Sequence, residues 1–475
     1  MTTVQRNITP PSIIQGGMGV GVSNWVLARA VSRSGNVGVV SGTALDTVLV
    51  RRLQDGDPGG HMRRAISQFP IASVGEEVLH RYLLPEGRAP GQPYKMLPMY
   101  KQFVSVARQQ VTMLANFAEV YLAKEGHDGV VGVNLLTKVQ LPNLASLCGA
   151  MLAGVDYVLM GAGIPREIPG VLDAFSEHRM ALIRFDVEGL ASTEAEYLTF
   201  DPAAHGVDPS IPLKRPQFIA IVAATSLAMT LARKANGRVD GFVVEGPTAG
   251  GHNAPPRGEP HLNDRGEPIY GDRDVVDLTR IAELGLPFWI AGGAGSPEKL
   301  AEARAAGAAG IQVGTLFAYC DESGIADVLK QEVLYHASRG EVEVVTDPRA
   351  SPTGYPFKVV RLPSDNSDAP RRVRKCDLGY LRTAYRDPNG RIGYRCPAEP
   401  VDAYVKKGGS VSDTEGRECL CNGLTANIAQ AQLRGDGVEE PPLLTSGDDL
   451  LGIQTFLGSR KRYAAADVVS YLLGL

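Results

Sequence analysis

The residue best placed to do chemistry is a histidine at the tip of a glycine-rich turn. It closes the stretch Val243-Val244-Glu245-Gly246-Pro247-Thr248-Ala249-Gly250-Gly251-His252. The preceding run is short, β-branched and not alternating, as expected of a buried parallel strand. Gly250 and Gly251 let the backbone approach a ligand with no Cβ in the way. A neutral imidazole presented there can take a proton from carbon or relay one to a reduced cofactor. His252 is flanked by glycines and by Asn253-Ala254-Pro255, not by an apolar face. That setting favours a catalytic role over a structural one.

Three further sets carry chemistry. Gln15, Asn134 and Glu245 stand with His252 at strand ends, and side chains at the C-terminal mouths of barrel strands converge on one pocket. Gln15 and Asn134 offer donors and acceptors to a flat heteroaromatic ring, and Gly16-Gly17 leaves room for its face. Local turn chemistry is the plainer alternative, to which Asn is prone. Gly292-Gly293 and Gly314-Thr315 end two late strands. Such turns after the last two strands of a barrel hold phosphate through backbone N–H groups and a helix N-terminus. Cys376, Cys396, Cys419 and Cys421 gather late in the chain. Four thiolates suit zinc or an iron–sulfur cluster. Their spacing lacks a Cys-x-x-Cys knuckle, so unligated or redox-active cysteines stay open beside a metal site.

The elements that position these residues alternate. Strands are expected at Ser12–Gln15, Val37–Gly42, Val130–Asn134, Tyr157–Met160, Phe218–Val222, Asp240–Val244, Phe288–Ala291 and Gly310–Val313. Helical spacing follows several of them, as at Asn24–Ser34, Ser226–Ala235 and Pro297–Ala306. Eight such units in α/β order predict a (β/α)8 TIM barrel, with a doubly wound open sheet as the alternative. Ala181–Phe185 is a weaker ninth strand that suits an excursion. The stretch 43–126 reads as a helical insertion, with its better helices at His61–Gln68 and Tyr100–Lys124. We expect a barrel domain over 1–345 and a C-terminal module without repeated strand–helix units over 346–475, after a linker-like Pro363–Pro370.

Composition narrows the class. A net charge of −4 gives no basic excess for nucleic acid or an anionic membrane. The basic run Arg371-Arg372-Val373-Arg374-Lys375 reads as a solvated rim. Met1–Ile14 lacks a signal-peptide pattern, and the apolar stretch Phe218–Ala232 is too short to span a bilayer. Six cysteines with no dense framework suit a reducing compartment. These features predict a cytoplasmic enzyme for a small molecule, with oligomeric state open.

Taken together, QGGMGVG at Gln15, VGVNLL at Asn134, VVEGPTAGGH, WIAGGAGSPEKL and IQVGTLF resemble nitronate monooxygenases, formerly called 2-nitropropane dioxygenases, over about Pro11 to Ser323. The resemblance implies one non-covalent FMN at the barrel mouth. Gln15, Gly16, Gly17, Met18 and Asn134 would lie along the isoalloxazine. Glu245, Gly250 and Gly251 would complete its surroundings. Gly292, Gly293, Gly314 and Thr315 would hold the phosphate. His252 would be the base near the substrate carbon in the oxidation of small alkyl nitronates with oxygen. The same superfamily includes NAD(P)H-dependent reductases of enoyl thioesters and quinones, which is the alternative activity. Pro247-Thr248 replaces the family's usual any-Glu pair, so any role of that acidic residue is absent.

Overall fold

The structure is a computed structural model that describes residues 10–365, 373–435 and 437–475. Arg371, Arg372 and most of the linker-like stretch from Pro363 lie outside the described residues.

Eight parallel strands form the centre: β1 Ile13–Gln15, β2 Gly38–Ser41, β3 Val131–Leu136, β4 Tyr157–Gly161, β5 Gln217–Val222, β6 Gly241–Glu245, β7 Phe288–Ala291 and β8 Gly310–Val313. Each pairs with its sequence neighbours, and β1 pairs with β8. A parallel bridge from Ile14 to Val37 closes the ring, with Gln15 N donating to Val37 O at 2.9 Å. Closure decides for the barrel over the open sheet. The strands carry short β-branched runs because both faces are covered. Ile14, Val39, Leu159, Ile219, Val243 and Trp289 fill the interior. Trp289 is the largest of them, and its indole N–H reaches Pro11 O at 2.7 Å.

Ala181–Phe185 pairs antiparallel with Glu196–Phe200 in a two-stranded sheet outside the barrel. Its alternating burial is that of a ribbon with one wet face. The insertion holds four α-helices: Leu45–Gln54, His61–Ile66, Ala72–Tyr82 and Val106–Lys124. The last begins at Val106, not Tyr100, because Ser105 caps it by accepting from Arg108 N.

Asp46 ties the insertion to the C-terminal part of the chain. Its carboxylate, 1% exposed, accepts from Arg108 Nη2 at 2.7 Å, Thr112 Oγ1 at 3.0 Å and Tyr380 Oη at 2.5 Å. Burial alone would raise its pKa. The Arg108 charge, with hydrogen bonds from Tyr380, Arg108 and Thr112, outweighs burial and holds it below the usual 3.8. Arg382 Nη2 also donates to Tyr100 O at 2.7 Å, on the same face. No described helix is long and apolar enough to cross a membrane.

Removing one partner leaves the other charge buried without compensation, so Arg108→Ala is expected to cost about 3–5 kcal/mol in urea unfolding. Because the Asp46 pKa is lowered on folding, its contribution is complete above the unfolded value and is lost as pH falls through the folded one. Wild type and Asp46→Asn should therefore differ most at neutral pH and converge in strong acid.

Candidate active site

The C-terminal strand ends open into a chamber of about 250 Å³. Its lining includes Gly16, Gly17, Met18, Asn134, Glu245, Gly250, Gly251, His252, Gly292, Gly293, Gly314 and Thr315. Of the expected catalytic and cofactor-binding residues, all but one lie on this wall. The exception is Gln15, which is fully buried beneath the turn. Its amide N–H groups reach Ser23 Oγ and Gly16 O, and its oxygen accepts from Val39 N at 3.0 Å. Both ends are spent on fixing the first βα turn against β2.

The glycine turns form a cradle. A Cβ at Gly17 would stand 2.2 Å from Asn134 Cβ, so any side chain there would displace the asparagine. Gly292 and Gly293 have φ of 87° and 63°, the left-handed region that glycine enters without cost. Their turn leads through Ser296, which caps the helix Pro297–Ala305 by accepting from Lys299 N. Backbone N–H groups at such a turn suit a phosphate. Gln312 on β8 lines the same chamber, and its Oε1 is buried with no hydrogen-bond partner. An orphaned acceptor beside a glycine cradle fits a planar ring that offers an N–H. The residues present thus fit FMN. The block IQVGTLF contains Gln312, but nothing in its spacing marks the residue as pointing inward.

His252 is held from the far side by later sequence. It bridges antiparallel to Phe357, the first residue of a strand ending at Arg361, and meets that ring edge-on at 4.9 Å. Its Nε2 lies 2.7 Å from Ser351 Oγ, and Ser351 Oγ lies 2.7 Å from Thr353 Oγ1. With Ser351 donating to Thr353, the serine accepts from Nε2–H and leaves Nδ1 as the basic nitrogen. Burial, and then the charge of Lys138, push the imidazole pKa down to about 3. Lys138 itself is lowered to about 7 by burial, and its Nζ sits over the Tyr355 ring without a hydrogen-bond partner. Burial pushes Glu245 up to about 7. The histidine is therefore neutral at ordinary pH.

The C-terminal part supplies the remaining wall. Tyr380, Leu381, Leu424 and residues 444–447 line the chamber. Gly251 N donates to Thr445 Oγ1 at 2.9 Å, and Gly447 N donates to Thr315 Oγ1 at 3.1 Å. Sequence reasoning missed this wall because the segment carries no glycine-rich turn after a strand.

The four late cysteines do approach one another, since all line one small cavity and Cys421 also lines the main chamber. The metal expectation finds no support, however. Among the described residues no group of three or more His, Cys, Asp or Glu is arranged to hold a metal ion. Burial, reinforced by the neighbouring cysteines, raises Cys376 to about 11. Burial likewise raises Cys396 to about 12. None of the six cysteines is joined in a disulfide.

Lys138→Met removes a positive charge that opposes imidazolium, so the His252 ring should titrate at higher pH than in wild type. Ring-proton NMR of His252 in both proteins checks this; unchanged titration would leave burial as the sole cause.

The family model for nitronate monooxygenase matches residues 180–352, which contain three of the five motif blocks. A probable nitronate monooxygenase from Staphylococcus haemolyticus (strain JCSC1435) is 31% identical over 136 residues. That match covers 28% of this chain and spans 36% of the relative's length. A structure of FabK from Thermotoga maritima superposes with a TM-score of 0.48 at 17% identity, over 98% of this chain and 93% of that one. Nitroalkane oxidase from Streptomyces ansochromogenes gives 0.46 at 16% identity, over 98% and 96%. By sequence, the chain is similar to nitronate monooxygenases over residues 180–352.

Proposed function

We propose that the chain is an FMN-dependent oxidoreductase that oxidises a small alkyl nitronate with oxygen, His252 standing at the substrate carbon. The observation that carries this reading is the convergence, in one chamber, of the glycine turns after β7 and β8 with Asn134, Gln312 and His252. The turn at Gly292-Gly293 and the Gly314-Thr315 backbone would hold the phosphate. Gly16, Gly17, Met18 and Asn134 would flank the ring, and Gln312 Oε1 would accept from it. The flavin supplies the two-electron chemistry.

The chain's own part is orientation. His252 presents a neutral imidazole, whose ring Ser351 hydrogen-bonds. Its low basicity suits a substrate that arrives already as the anion, since no proton abstraction is then asked of it. The neutral imidazole thus orients the substrate anion at the flavin without adding or removing a proton. The apolar neighbours Phe357, Leu381 and Leu424 keep water from that carbon.

A second reading, NAD(P)H-dependent reduction of an enoyl thioester or quinone, draws support from the apolar wall, since Val20, Val22, Ile325 and Leu424 could accept a longer chain. The two separate on anaerobic bleaching of the flavin: by an alkyl nitronate for the first, by NADH or NADPH for the second.

His252→Ala should keep FMN, read from the visible spectrum, while turnover falls by roughly 100-fold or more. Unchanged turnover would assign His252 to structure. In wild type, no loss of rate from histidine protonation is expected between weakly acid and neutral pH, because the imidazole titrates near 3.

A further inference from the structure

Two residues of the chamber lining, Gln312 and Asn427, carry a buried side-chain oxygen that has no hydrogen-bond partner among the described residues. The FMN reading uses the first and leaves the second idle. Asn427 is 2% exposed and directly follows the short helix Leu420–Ala426. Its Nδ2 donates to Leu443 O at 2.7 Å, and its backbone oxygen accepts from Ala326 N at 2.8 Å. Exchanging the amide nitrogen and oxygen would set oxygen against the Leu443 carbonyl, so the atom left without a partner is the acceptor. A buried acceptor with no donor is costly, and a ligand that brings the donor removes that cost.

The wall beside Asn427 is apolar. Val20, Ala44 and Val139, in the turns after β1, β2 and β3, pack with Tyr380, Leu381 and Leu424 into one cluster, and all six line the chamber. The Tyr380 hydroxyl is engaged by Asp46 and Thr47, so this residue offers the chamber its ring. Asn427 stands three residues after Leu424, on the same face of their helix. The glycine turns assigned to phosphate follow β7 and β8, away from the turns after β2 and β3. Among the described residues no lysine or arginine lines the chamber. A charged group in this lobe would be buried without a partner, whereas a neutral chain with one donor matches it.

We propose that this lobe is a binding subsite for an aliphatic chain carrying a neutral hydrogen-bond donor, a hydroxyl or an amide N–H that Asn427 Oδ1 accepts, and that the alkyl group of the substrate is such a chain. The last clause rests on the oxidoreductase reading above; the subsite itself does not.

The probes are straight-chain alcohols, n-butanol through n-octanol, titrated calorimetrically into full-length protein as purified. Affinity should rise about three- to four-fold per methylene. Heptyl methyl ether has as many heavy atoms as n-octanol but no donor, and should bind about ten-fold more weakly. Asn427→Leu should bind the two alike. Val139→Phe narrows the lobe and should weaken n-octanol more than n-butanol. Thermal midpoints show whether each variant is folded, and the wild-type comparisons of length and of donor decide without them. In turnover of an alkyl nitronate, n-octanol should raise KM and leave kcat unchanged. Affinity independent of length, equal binding of alcohol and ether by wild type, or release of FMN by n-octanol would each overturn the subsite and leave the flavin reading standing. The expected alcohol series in a protein that oxidises no alkyl nitronate would keep the subsite and remove the nitronate as its occupant.

Discussion

The chamber depends on the burial of one carboxylate behind its wall. Asp46 sits on the first helix of the insertion and receives hydrogen bonds from the insertion's last helix and from Tyr380. A charge this deep is tolerated only when it is paired and its lone pairs are filled. Arg108 supplies the charge, and Thr112 and Tyr380 fill the rest. Thr47 also shares the Tyr380 hydroxyl at 2.7 Å. The ring of that tyrosine is part of the chamber wall, so the same side chain joins the ionic lock to the site.

Burial acts in opposite senses on the two ionisable groups at the centre of the site. It lowers the basicity of His252 and raises that of the Glu245 carboxylate, in each case favouring the uncharged form. Lys138 follows the same rule without lining the chamber. The result is a site whose histidine is neutral at pH 7 and whose glutamate and nearby lysine each titrate near pH 7. The backbone dipoles of the late turns add fixed partial charges to the same chamber.

Much of this was legible in the chain. The eight strands and the glycine turns could be read because parallel strands need short apolar runs and close backbone approaches need glycine. His252 stood out because its neighbours are glycines and not a core. What could not be read was decided by tertiary contact. Gln15 had the same strand-end position as Asn134, yet a serine eight residues later captures its amide. Gln312 looks like any polar strand residue until the barrel closes and orphans its oxygen. Ser351, which hydrogen-bonds the His252 ring, lies 99 residues further on, in a stretch with no motif of its own. The cysteines show the reverse case: four thiols late in the chain suggested a metal, and among the described residues no group is arranged to hold one.

The Tyr380 wall also bears on how the chain is made. The barrel strands are complete at Val313, whereas Tyr380, Leu424 and Gly447 are translated later. At ordinary elongation rates the last of these emerges on the order of ten seconds after the barrel's final strand. During that interval the nascent barrel has its glycine turns and His252 but lacks the lid side of the chamber. The order of synthesis thus provides an open mouth before a closed one, and a cofactor loaded in that interval would be enclosed as translation finishes.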